Sequence, residues 1–228
     1  MWRSPTLALP LSLVLLAGDA AGGESPDPFR GAEIAWYDHC QRQAARQAGI
    51  DWRLAAAVRI KESFNDPDFI STTGAVGLMQ LMPTGGGRMF VSESYRGFVR
   101  ARRAPDRRHR GRRDAEWAAD YRAELRRLVR TTTTRERMRR DRRFDPCWNI
   151  QRGTLHLARD LRRLARLHPR ATKRELLRMT LGAYFAGPGR VRYRSGRVRF
   201  GGPRAAIKRY VADALGVYDR LRVGQPGR

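Results

Sequence analysis

The stretch DWRLAAAVRIKESFNDPDFISTTGAVGLMQLMP, residues 51–83, limits what this chain can fold into more than any other. Gly49 interrupts what precedes it, Asp51 can cap a helix, and Leu54, Val58 and Glu62 recur at i, i+4 and i+8 on one face. An apolar stripe that ends in a carboxylate is not the pattern of a plain core helix. Burial disfavours the charged form of such a group, and so does the last helical turn, where the macrodipole is negative. The pattern therefore predicts a raised pKa for Glu62, the property of a general acid. Asn65-Asp66-Pro67-Asp68 then forces a turn, Gly74 and Gly77 let the backbone pass close to whatever lies beside Glu62, and Leu78 to Met82 is predicted to begin a second helix.

A chain of 228 residues, 41% of them hydrophobic, can build one core with an elaboration but not two full domains. The net charge of +25 would point to nucleic acid in a cytosolic protein. However, 44 of the 47 basic residues are arginine, a bias that GC-rich codon usage produces unaided. The first residues also speak for export. Trp2-Arg3 is a short basic start, Leu7 to Ala17 an apolar run, and Gly18 and Ala20 are small residues suited to cleavage, so residues 1–20 read as a signal peptide. The competing reading, an uncleaved anchor, lacks the ~20 apolar residues a span needs. Asp19 stands where a lipoprotein box requires cysteine. Residues 21–31, rich in Gly, Pro and Asp, read as a disordered lead-in. The mature chain is expected to be periplasmic or in the cell envelope, with no transmembrane span.

Residues 32–48 are predicted to form a helix with Tyr37, Cys40, Ala44 and Ala48 on its apolar side. Cys40 has one intramolecular partner available, Cys147, and an oxidising compartment favours a bond between them over two separate buried thiols. His39, His109, His156 and His168 are scattered without ligand spacing, so neither metal nor cofactor is expected. Residues 88–143 carry 20 arginines against eight acidic residues, a composition that disfavours a core and reads as an insertion. Within it, Trp117, Tyr121, Leu125 and Leu128 keep helical spacing after Asp114 as a cap, up to the threonines at 131–134. The segment reads either as a basic docking surface for a polyanion or partner protein, or as a solvated insertion without one.

Beyond Phe144, Asn149 is predicted to cap a helix with a stripe of Ile150, Gly153, Thr154, Leu157, Leu161 and Leu164. Thr172 and Glu175 form a capping box before Leu176 to Tyr184, and that helix stops at Gly187-Pro188-Gly189. Residues 191–200 alternate around Ser195-Gly196 as a hairpin, and Pro203 opens a last helix through Leu221. The fold class is α+β, predominantly helical, with a small β-hairpin.

Glu62-Ser63, Ser71, the run Gly74 to Pro83, Asn149-Ile150 with Gly153, and Ala183 to Val191 resemble, in this order and spacing, the motifs of soluble lytic transglycosylases. The resemblance covers roughly residues 32–87 and 144–222. It implies a lysozyme-like fold of the goose type over residues 32–222, with the Arg-rich insertion at 88–143 outside the match, and residues 223–228 are expected to be a flexible tail. It also implies cleavage of the β-1,4 bond between N-acetylmuramic acid and N-acetylglucosamine in peptidoglycan glycan strands, leaving a 1,6-anhydromuramoyl end. Glu62 would be the catalytic residue, acting as acid and then as base, with Ser63, Ser71, Met79, Gln80 and Tyr184 binding substrate or orienting the acid. Asp66 and Asp68, the nearby carboxylates, fall on the turn and are left out of the site. Phe185 departs from the family motif, which carries asparagine there. Two other readings share the same residues: hydrolysis of the same bond by water, as in a goose-type lysozyme, and a non-catalytic module binding wall polymer or another polyanion. A cell-envelope secretion or pilus assembly is a further partner class, and nucleic acid is not expected.

Overall fold

The computed structural model describes residues 32–83 and 110–223. The expected signal peptide, the lead-in at 21–31, the first part of the arginine-rich segment and the tail after residue 223 lie outside the described residues. The chain divides into two units, one formed by residues 1–61 with 151–228 and the other by residues 62–150.

The first unit is helical with one hairpin. Helix α1 (Ala32–Ala48) buries Tyr37, Cys40, Ala44 and Ala48, as its periodicity predicts. Helix α2 (Trp52–Ser63) starts after Asp51, whose Oδ1 accepts the Arg53 N–H at 3.0 Å while Oδ2 accepts the Tyr218 hydroxyl at 3.0 Å. Residues 54–60 of α2 are all buried, so this helix is enclosed on every side rather than along a stripe. Even Arg59 is 1% exposed. It donates to Asp38 of α1, and burial pulls its pKa below the ordinary arginine value despite that partner. Gln41 of α1 donates to Thr154 at 2.7 Å, joining α1 to the long helix that ends at Leu167.

The next helix, here α6 (Lys173–Ala186), begins at the predicted capping box of Thr172 and Glu175 and ends where Gly187 takes a φ of 85°. Strands β1 (Val191–Arg194) and β2 (Arg197–Phe200) pair antiparallel around Ser195 and Gly196, both at positive φ as a two-residue turn demands. A side chain on Gly182 would collide with the Phe200 ring, so the missing Cβ is what lets β2 lie on α6. Helix α7 (Arg204–Val223) buries Ile207, Tyr210, Val211, Ala214, Val217 and Tyr218.

The second unit holds α3 (Arg110–Thr131), α4 (Thr134–Arg140), a single 3-10 turn (Arg142–Phe144) and the start of α5 (Pro146–Leu167). Its core is Val76, Tyr121, Leu125, Leu128 and Phe144, with Ile70, Val129 and Met138 packed against it. The described part of the arginine-rich segment is therefore folded around apolar residues. Three local expectations are corrected. Leu78 to Met82 does not start a helix, because Val76 and Leu81 exchange backbone hydrogen bonds across a turn. Asp114 lies inside α3, which begins four residues earlier. Asn149 lies inside α5, and Asp145 does the capping, accepting the Trp148 N–H at 3.1 Å with Pro146 in the first helical position.

Cys40 and Cys147 are both disulfide-bonded, and among the described residues no cysteine is free. No helix among the described residues is long and apolar enough to cross a membrane.

Candidate active site

The end of α2 and the chain that follows it, all in the second unit, hold most of the predicted site. Glu62 is half-buried in the last turn of α2. Ser63, next to it, is 1% exposed and donates its hydroxyl to the carbonyl of Leu78 at 3.0 Å, fastening the helix end to the glycine-rich loop. Phe64 and Asn65 then take φ values of 52° and 65°, the left-handed conformation that reverses the chain.

The loop is built from backbone pairing. Gly77 N–H donates to Phe69 O at 3.0 Å, while Val76 and Leu81 bond each other at 3.1 and 3.0 Å, closing a four-residue turn over 77–80. Ser71 Oγ accepts the Ala75 N–H at 2.9 Å and the Thr73 N–H at 3.3 Å. Gln80, at a φ of 47°, donates its amide to Phe69 O at 3.0 Å and Gly77 O at 2.9 Å, which fixes a side chain that keeps partial exposure. Met79 is fully buried, so its thioether is not at the surface.

Two side chains that sequence reasoning did not place at the site hold this loop. Asn149, fully buried, accepts the Met79 N–H at 2.7 Å and donates to Val76 O at 2.9 Å and Arg143 O at 2.8 Å. Arg143, 0% exposed, donates to Gly74 O at 3.2 Å and Leu81 O at 3.1 Å, one on either side of the turn. Its remaining donors meet Asp141 and the Tyr121 hydroxyl at 2.6 Å. Burial alone would lower the Arg143 pKa, but the Asp141 carboxylate and Tyr121 raise it above the ordinary value, so the guanidinium is held charged. Gly77 has no room for a Cβ, which would strike the Asn149 amide and the Arg143 carbonyl. The signal that could have revealed Arg143 is the Asp-x-Arg pair before Phe144: in a stretch poor in acids, an acid two residues from an arginine is a ready internal partner.

Asp66 and Asp68 are engaged in structure. Asp66 Oδ1 accepts the Asp68 N–H at 2.8 Å, and Asp68 pairs with the buried Arg137 at 2.8 Å. Burial pushes the Asp68 carboxyl above the usual carboxylate range, with Arg137 opposing.

Tyr184 belongs to the other unit. It sits half-buried on α6 with its ring 5.6 Å from that of His156, edge to face. Phe185 stacks on Tyr210 at 4.5 Å and 19°, so the aromatic that replaces the motif asparagine packs within its own unit. Among the described residues no cluster of His, Cys, Asp or Glu could hold a metal ion.

The profile of the transglycosylase SLT domain matches residues 39–105, a span that includes Glu62, Ser63, Ser71, Met79 and Gln80. A membrane-bound lytic murein transglycosylase F of Alcanivorax borkumensis is 42% identical over 57 residues, which is 25% of this chain and 12% of that relative. Membrane-bound lytic murein transglycosylase F 1 of Alkalilimnicola ehrlichii and the F enzyme of Stutzerimonas stutzeri are each 47% identical over 45 residues, 20% of this chain and 9% of theirs. The chain thus spans only about a tenth of the length of these curated relatives. Within those bounds, residues 39–105 of this predominantly helical chain with one small hairpin are similar to the transglycosylase SLT domain.

Proposed function

We propose that the protein is a peptidoglycan lytic transglycosylase with Glu62 as its one catalytic carboxylate. The observation that carries this reading is the family match over residues 39–105, within which the Glu62-Ser63 helix end is fastened through the Ser63 to Leu78 hydrogen bond to the Gly74–Pro83 loop. Glu62 in its protonated form gives its proton to the glycosidic oxygen as the bond from C1 to that oxygen breaks. The C6 hydroxyl oxygen then closes on C1 while Glu62 takes back that hydroxyl's proton, so no water is consumed and the enzyme returns to its starting state. Ser71 and Gln80, both half-buried, are the loop side chains within reach of a glycan. Ser63 and Met79 act from inside by holding the loop, and Tyr184 matches the tyrosine that orients the acid in the family.

The relatives are named as membrane-bound murein enzymes, which supports a cell-envelope location for this chain too, consistent with the signal peptide read at residues 1–20. Digestion of purified murein followed by mass spectrometry tests the reading. The wild type is expected to leave 1,6-anhydromuramoyl ends, and Glu62→Gln to lose about 10²-fold or more of the rate with an unchanged circular dichroism spectrum. Reducing ends, or cleavage surviving Glu62→Gln, would refute it.

A further inference from the structure

The register of the β1–β2 hairpin places four arginines on one face. Arg192 is paired directly with Arg199, and Arg194 with Arg197, while Val191, Tyr193, Val198 and Phe200 occupy the other face. All four arginines are exposed, whereas Val191 and Phe200 are buried. Like charges directly opposite one another destabilise a two-stranded ladder, and here the fault occurs twice in succession. Among the described residues no acidic side chain pairs with these arginines, and Glu175 is taken up by Thr172 and by Tyr193 on the opposite face. Arg204, at the start of α7, joins Arg192, Arg194 and Arg199 around an open cleft of about 700 Å³ lined also by Ser195, Phe200 and Gly201. A solvated surface of codon-driven arginines has no reason to gather in facing pairs around a concavity.

We propose that this face is a binding site for a phosphodiester strand, separate from the chemistry proposed for Glu62. Directly opposed residues lie about 5 Å apart and alternate residues on a strand about 7 Å apart. Two guanidiniums at the shorter spacing can grip one tetrahedral phosphate from two sides, which cancels their repulsion. A single carboxylate can bridge one such pair as well, so the strand is distinguished by its repeat. The longer spacing sets the distance between successive phosphates, close to the repeat of a phosphodiester backbone. The concave wall supplied by Arg204 suits a strand rather than a flat bilayer.

The test is fluorescence anisotropy of the full chain with a labelled abasic deoxyribose-phosphate oligomer, which presents phosphodiesters without bases. At about 150 mM salt, Arg192→Gln with Arg199→Gln is expected to weaken binding at least about tenfold and to reduce the slope of log K against log salt by about 0.7, for the one phosphate that this pair grips. Arg163→Gln with Arg166→Gln, exposed positions on α5, removes the same charge and is expected to change affinity less than about twofold. Replacing all four hairpin arginines by lysine keeps the charge and is expected to weaken binding while the salt slope holds. Circular dichroism melts confirm that each variant is folded. The proposal is overturned if the α5 pair costs as much as the hairpin pair, if polyglutamate of equal charge binds as tightly as the phosphate strand, or if phosphatidylglycerol vesicles are preferred to it.

Discussion

Replacing Asn149 by aspartate and by alanine separates two costs at one fully buried position. The asparagine accepts one hydrogen bond, from Met79 N–H, and donates two, to Val76 O and Arg143 O. Alanine removes all three and leaves buried partners unpaired. At roughly 1 to 1.5 kcal/mol each this destabilises by about 3 to 5 kcal/mol at any pH. Aspartate keeps the acceptor toward Met79 but turns a carboxylate oxygen toward two carbonyls, so burial and repulsion raise its pKa. A raised acid pKa means that the penalty is absent below the unfolded value of about 3.9 and grows by ~1.4 kcal/mol per pH unit until the folded pKa is passed. If that folded pKa is about 7, the penalty reaches about 4 kcal/mol beyond the loss of one donated bond. The assay is urea unfolding at several pH values between about 3.5 and 7.5, followed by tryptophan fluorescence and far-ultraviolet circular dichroism, with each midpoint compared with the wild type at the same pH. Asn149→Asp should approach wild-type stability in acid and fall to or below Asn149→Ala near neutrality. A difference between wild type and Asn149→Asp that stays flat with pH would refute the buried placement of this side chain.

Gly77→Ala combines a φ of 80° with a Cβ that meets the Asn149 amide and the Arg143 carbonyl, so about 2 to 4 kcal/mol of destabilisation is expected from denaturant midpoints. Tyr121→Phe deletes the hydroxyl that accepts from Arg143 at 2.6 Å, and should cost about 1 to 3 kcal/mol in the same measurement, because a buried guanidinium loses a partner. Thr172→Ala removes the cap bond to Glu175 N–H and should cost about 1 kcal/mol by thermal melting. The Glu175 carboxyl lies below the usual glutamate range because of the Thr172 N–H and hydroxyl, so its contribution is present above the ordinary glutamate value and lost as pH falls through the lowered one. The acid limb of the melting profile should therefore be shallower in Thr172→Ala than in the wild type.

What could be read from the residues was whatever is decided locally. Asp51, the pair Thr172 and Glu175, Ser195-Gly196 and Pro203 act within a few positions of themselves, and each does what its type predicts. Asn149 misled because the amide that favours a helix start is equally suited to cross-link distant backbone, and spacing cannot distinguish the two. Leu78 to Met82 looked helical because five consecutive residues of high helix propensity carry no sign of long-range pairing, and the bonds between Val76 and Leu81 override propensity. Arg143 was invisible for a different reason. In a run of twenty arginines, composition describes the average residue, which is solvated, while the one that matters is enclosed. For the candidate site, Glu62 and the loop residues are proposals from the motif. The loop's support from α3 and the turn before α5 was not legible, since it depends on contacts across some seventy positions.

The burial of Tyr121, Leu125 and Arg143 limits how far this chain can be shortened. Excising the whole arginine-rich segment would take away the floor beneath Val76 and the clamp on either side of the turn at 77–80, so a loss of activity after such surgery would report collapse of the loop and not the loss of a docking surface. Any trimming meant to ask what the arginines do has to stop before α3, or exchange exposed arginines one by one while the enclosed Arg137 and Arg143 are left alone.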